Sequence, residues 1–223
     1  MNKLKLLFVS LVLLTLCSCS PTFYVYGDGW NASSTYDVPV LEPYTSIEQF
    51  NWLYAIREPN DSLSAAGHRA LWEVLIDDRE DLGVGDVVFM KDTSRYAMIC
   101  HDIDSMVTKH PYSHHAWKAK VPTSVLDYMK EQGLPYLWLI AQRGFEHNPA
   151  CKFYIGLNGI DPERPINGSW FRTTVMLADA ENGTFAAYCQ RYYPGYRHNK
   201  ENEWDRPSQK QGIRVQMYHL LGN

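Results

Sequence analysis

Basic charge is in short supply in this sequence. Lys plus Arg number 21 against 25 Asp plus Glu, so the 223-residue chain carries a net charge of −4. A net-acidic chain lacks the basic footprint that non-specific nucleic-acid binding needs. No Gly-rich phosphate loop occurs. Gly27, Asp28 and Gly29 make too short a motif and open no helix, which removes nucleotide binding. HExxH, paired CxxC and Gly-x-Ser-x-Gly are all missing, so zincin, zinc-ribbon and serine-elbow chemistry have no motif behind them. No segment has eighteen apolar residues in a row, which excludes a multi-pass membrane protein. What remains is an ordinary globular composition, 45% apolar and 21% charged.

The N-terminus is the most specific part of the chain. Lys3 and Lys5 give a basic start without acids, and residues 6–16 form an apolar run broken only by Ser10 and Thr15. That run is too short to span a bilayer, and its layout is that of a secretory signal. It ends in Leu16, Cys17, Ser18 and Cys19. This resembles the lipobox of bacterial lipoproteins. The resemblance covers the signal alone. It implies cleavage after Ser18, lipid attachment at Cys19, and a body tethered to the cell envelope. Ser20 follows the acceptor where Asp would mark inner-membrane retention, so the outer membrane is the expected address. The expected partition is a signal at 1–18, a lipid-anchored tether and irregular lead-in at 19–45, and one domain at 46–223. Cys100, Cys151 and Cys189 lie in that domain. An oxidising compartment makes one bridge among them plausible, and three buried thiols are the alternative.

Along the body, helices are expected at 46–57, 64–78 and 123–132. Ser46 and Gln49 fit a capping box, and Gly133 stops the third helix. The acidic run at 77–81 reads as a solvated turn, with a partner or cation as the sharper alternative. Strands are expected at 86–90, 96–101, 116–121, 135–141, 151–157, 170–180, 184–193 and 212–221. Residues 134–141 are almost continuously apolar, which marks a central strand buried on both faces. Asn182 and Gly183 mark a hairpin. Helices first and strands after them give an α+β domain, with N-terminal helices packed on a mostly antiparallel sheet.

Three constellations are candidates for chemistry. His101, Asp102, Asp104, His110, His114 and His115 cluster within a short stretch. His101, Asp104, His110, His114 and His115 form the candidate metal set, with Zn the expected ion if one binds. Cys100 is a candidate thiol nucleophile, working through the fold with His110, His114 or His115. Cys189 and His219 form a third pair. Symmetric pairing of 184–193 with 212–221 sets Cys189 opposite Val215, out of reach of His219. His68 shares the apolar face of its helix with Leu71, Trp72 and Leu75 and reads as a hydrogen-bonded core histidine. Tyr188 and Tyr192 fall on the strand face opposite Cys189 and are expected to be exposed. Tyr193, Tyr196, Arg197 and Trp204 gather around a long polar loop at 194–211 and form a candidate adhesive surface for a protein or glycan. The expected function is a non-catalytic binding or accessory module of the envelope. The competing class is a metal-dependent or cysteine hydrolase.

Overall fold

The computed structural model describes residues 23–26, 37–51, 56–109, 119–147, 154–156, 159–161 and 169–196. Cys19, His110, His114, His115, Cys151, Arg197, Trp204 and His219 lie outside them, as does the segment 212–221.

The strands are β1 (Phe23–Tyr26), β2 (Val38–Leu41), β3 (Tyr44–Asn51), β4 (Ile56–Pro59), β5 (Val84–Val88), β6 (Tyr136–His147), β7 (Tyr154–Gly156), β8 (Gly159–Asp161), β9 (Ser169–Asp179) and β10 (Thr184–Tyr196). The helices are α1 (Asp61–Asp77), α2 (Arg79–Leu82), α3 (Thr93–Lys109) and α4 (Thr123–Gln132). Eight strands form one sheet in the order β1-β10-β9-β6-β2-β5. β3 lies on the same edge of β6 as β2 and carries β4 outward. The β1, β10, β9 and β6 half is antiparallel. β2 and β3 run parallel to β6, and β5 runs parallel to β2.

The class is α+β. Helices cover both faces of the sheet, because β6, β9 and β10 bury alternate residues on each side. Trp138, Ile140, Val175, Leu177, Ala187 and Cys189 meet Leu71, Val74 and Leu75 of α1. Leu137, Leu139, Met176, Ala178, Phe185 and Tyr188 meet Ile99, Ile103 and Val107 of α3 and Val125, Tyr128 and Met129 of α4. The central strand read at 135–141 is therefore β6. The hairpin at Asn182 and Gly183 joins β9 to β10. Gly183 takes φ 64°, and Asp179 Oδ1 accepts from the amides of Glu181 and Asn182. Gly133 ends α4 at φ 67° as expected.

Several local expectations are overturned. Of the residues read as a helix at 46–57, 46–51 and 56–57 are strand. They enter β3 and β4, and the Ile47 amide donates to Ser64 Oγ at 2.9 Å, so Ser46 and Gln49 make no capping box. Strands also reach into the segment read as a tether. β1 pairs with β10 and β2 sits inside the sheet. Residues 96–101 are not a strand but part of α3. Asp92 Oδ1 accepts from the amides of Ser94 and Arg95 and starts that helix. The pairing expected for Cys189 fails as well. Its neighbours are Tyr24 on β1 and Val175 on β9, which leaves no edge there for Val215. Tyr188 is buried rather than exposed, because α3 and α4 cover that face.

Candidate functional site

α1 ends at Asp77, and Asp78 turns inward and is buried. A single turn, α2, follows. It is pinned by fully buried Leu82 and closed by Gly83 at φ 65°. This break explains the acids at 77–81. Acids ending one long helix would oppose its macrodipole, whereas Glu80 and Asp81 open a new turn and favour it. With Leu82 directed to the core, Asp77, Glu80 and Asp81 are left exposed.

They border an open groove of about 810 Å³ between the end of α1, α2 and β5. Its apolar floor is Trp72, Ile76, Val87 and Phe89, and its rim is Asp77, Arg79, Glu80, Asp81 and Asp86. The Trp72 and Phe89 rings meet with centroids 4.2 Å apart. His68 stacks on Trp72 with ring centroids 6.5 Å apart. Phe89 is 58% exposed and Ile76 52%, which is unusual for large apolar side chains sitting side by side. Arg79 pairs with the exposed Asp86 carboxylate across the groove.

The inner end of this aromatic row is held rigidly. His68 Nδ1 donates to the Pro43 carbonyl at 3.0 Å, and its Nε2 lies 3.5 Å from Glu42 Oε1. The core histidine read from the sequence is thus hydrogen-bonded but only half-buried. Tyr96 Oη donates to the same Pro43 carbonyl at 3.1 Å. Both side chains hold the bend where β2 passes into β3.

The candidate metal set does not converge among the described residues. His101 and Asp104 sit on α3 rather than in a loop between strands. His101 is exposed, whereas Asp104 Oδ1 lies 3.0 Å from Arg143 Nε. Asp102 is taken up by Ser124, whose Oγ donates to it at 2.6 Å. No group of three His, Cys, Asp or Glu placed to hold a metal occurs among the described residues. Tyr193 and Tyr196 lie on β10, opposite Phe171 and Ser169 of β9, so the first residues of the stretch read as a polar loop are strand.

Cys100 is a free thiol, and both it and Cys189 are buried. Burial is the main cause that pushes the Cys100 thiol up to about 11, with the Glu42 and Asp104 charges acting in the same direction and a Tyr96 hydrogen bond opposing them. The thiolate is the nucleophile, so a thiol this weakly acidic is suited to packing. At pH 7.5, Cys100 is expected to react with iodoacetamide about 100-fold more slowly than a free thiol, and to speed up as pH approaches 11. Residue-resolved mass spectrometry reads that rate. Labelling at the free-thiol rate would restore the cysteine hydrolase.

No protein-family model matches this chain. No curated protein matches it by sequence either. Solved structures do match. One is the PelC dodecamer from Paraburkholderia phytofirmans, at 11% identity and a TM-score of 0.40 over 91% of this chain and 97% of that one. Another is the LpoB C-terminal domain from Salmonella enterica, at 10% identity and a TM-score of 0.31 over 75% of this chain and 87% of that one.

The groove was not legible as a site beforehand. Trp72 and Phe89 belong to different elements, and only the packing of α1 beside β5 brings them together. The one available signal was the acidic run at 77–81 following a helix with an aromatic on its face.

Proposed function

We propose that this chain is a non-catalytic binding or accessory module of the bacterial envelope, lipid-anchored through Cys19 at the outer membrane. It contacts a protein or glycan partner through the groove between α1, α2 and β5. The observation that carries the reading is the exposed pair Ile76 and Phe89 beside Trp72, inside a rim of carboxylates. Contiguous exposed apolar surface with a polar rim is how interaction sites are built. Tyr193, Tyr196, Arg197 and Trp204 supply a second contact surface in the same proposal.

The test uses the tagged full-length protein at native level, extracted gently from membranes. Wild type is expected to bring down a partner in near-stoichiometric amount. Phe89→Glu is expected to lose it while keeping the wild-type circular dichroism spectrum, because an exposed side chain contributes little to the fold. Deleting residues 200–209 reads the second surface separately. A lone wild-type protein, or full capture by Phe89→Glu, would remove the groove from the proposal.

A further inference from the structure

β5 runs along the groove, which Asp86 and Val87 line. β5 is the last strand in the order β1-β10-β9-β6-β2-β5. Among the described residues it pairs only with β2. In a strand, alternate backbone N–H and C=O groups point to opposite edges, so half of those of β5 point away from β2. Such an edge is a template for an added strand.

Charge decides what can be added. Four acids, Asp77, Glu80, Asp81 and Asp86, border the groove with one base, Arg79, and that base is paired with Asp86. A second copy docking through its own β5 would bring these acids against themselves, and like charges across an interface are strongly disfavoured. A basic strand meets the opposite situation. Side chains of an added strand alternate, so every second residue faces the groove. A Lys or Arg there lays its methylenes over Ile76, Trp72 and Phe89, where the aromatic faces attract the cation, and ends among the carboxylates. One side chain therefore uses both the floor and the rim.

We infer that the groove takes an extended basic polypeptide, which adds to the edge of β5 that no other strand pairs with among the described residues and directs Lys or Arg at alternate positions into the acidic, aromatic cleft. This rests on the groove being the contact surface, as proposed above, and names the class of partner.

The experiment selects a random library of linear 12-residue peptides on the full chain in detergent micelles. Enriched sequences are then resynthesised and titrated by fluorescence anisotropy. The expected result is Lys or Arg at every second position. Affinity should fall about 10-fold or more in the double variant Glu80→Lys, Asp86→Lys. It should weaken as NaCl rises. N-methylation of alternate peptide amides, in one of the two registers, should abolish binding, because it removes donors of the added ladder. Enriched peptides without basic residues, or indifference to N-methylation in both registers, would overturn the inference. A glucosamine oligomer is titrated in parallel. If it binds in a manner that Phe89→Glu abolishes while no peptide is enriched, the groove stands as the contact surface and the polypeptide is wrong. Sedimentation that shows a dimer dissociated by Phe89→Glu would give the edge to a second copy instead. If neither probe binds and no dimer forms, the inference falls; the co-purification with Phe89→Glu then decides the groove separately.

Discussion

Trp138→Ala is expected to cost about 3–5 kcal/mol of folding stability, a large share of the roughly 5–15 kcal/mol that holds a domain together. Trp138 is fully buried near the start of β6. It stands opposite Leu177 of β9 on one side and Val40 of β2 on the other. Leu71, Val74 and Leu75 of α1 close over the same cluster. Truncation leaves a cavity bounded by both halves of the sheet and a helix, so collapse is difficult and the cost lies in the upper part of the range. Trp138→Phe behaves differently. The indole N–H has no hydrogen-bond partner among the described residues. Phenylalanine loses some volume but also removes a buried donor, and the two effects oppose each other. Its expected cost is about 1 kcal/mol. Urea midpoints at constant slope measure both. The melting temperature of the alanine variant should fall by roughly 10 °C. Equal losses for Ala and Phe would mean that packing volume is not what Trp138 supplies.

The readability of that strand has a physical reason. A strand buried on both faces shows no alternation, so the apolar run at 135–141 speaks for itself. The hairpin at Asn182 and Gly183 and the helix stop at Gly133 were equally readable, since a left-handed backbone is required within a few residues of each. Where the sequence misled, the deciding contact lay far along the chain. Ile47, Phe50, Leu53 and Tyr54 recur at helical spacing, yet Tyr44–Asn51 runs parallel to Tyr136–His147, with Ile47 opposite Gly144. Parallel pairing has no local turn to announce it. The window chosen mattered for 96–101. Six residues there form a short, mostly apolar run of strand length. The longer view has Ile99, Ile103 and Val107 four apart and Asp92 as a cap, which is a helix.

The same helix reshapes the candidate chemistry. Once 93–109 is helical, Cys100 faces the core, His101 faces solvent and Asp104 faces Arg143. The described members of the cluster, His101, Asp102 and Asp104, are thereby spread around a helix. The groove shows the converse. Its acids were visible in the sequence but read as a solvated turn, and its aromatics were assigned to a helix face and a strand. Only the break at Asp78 turns the chain so that both line one concavity.

Gly85→Ala is expected to damage both the fold and that concavity. A Cβ at Gly85 would stand 2.4 Å from the Asp37 carbonyl oxygen, 2.9 Å from its carbon and 3.0 Å from the Pro39 nitrogen. These are backbone atoms and cannot rotate away. β2 and β5 must separate, in a ladder already interrupted between Val38 and Val40. The expected cost is about 2–3 kcal/mol, as for overpacking that forces a backbone shift. Gly67→Ala is the comparison. Its Cβ would meet Ile47 Cδ1 and Thr45 Cγ2 at 3.0 Å and Gln142 Oε1 at 3.2 Å. Those are side-chain ends that can shift by a few tenths of an ångström. Alanine also gains about 1 kcal/mol over glycine inside a helix, so Gly67→Ala should come out near neutral. Urea unfolding gives the ranking, and amide exchange should place the damage in β2 and β5 while β6 and β9 stay protected. Because β5 forms one wall of the groove, Gly85→Ala should also weaken partner capture, whereas Gly67→Ala should leave it intact. A Gly85→Ala protein as stable as wild type would mean that β2 and β5 are not packed backbone to backbone, and the edge strand on which the groove depends would have to be placed elsewhere.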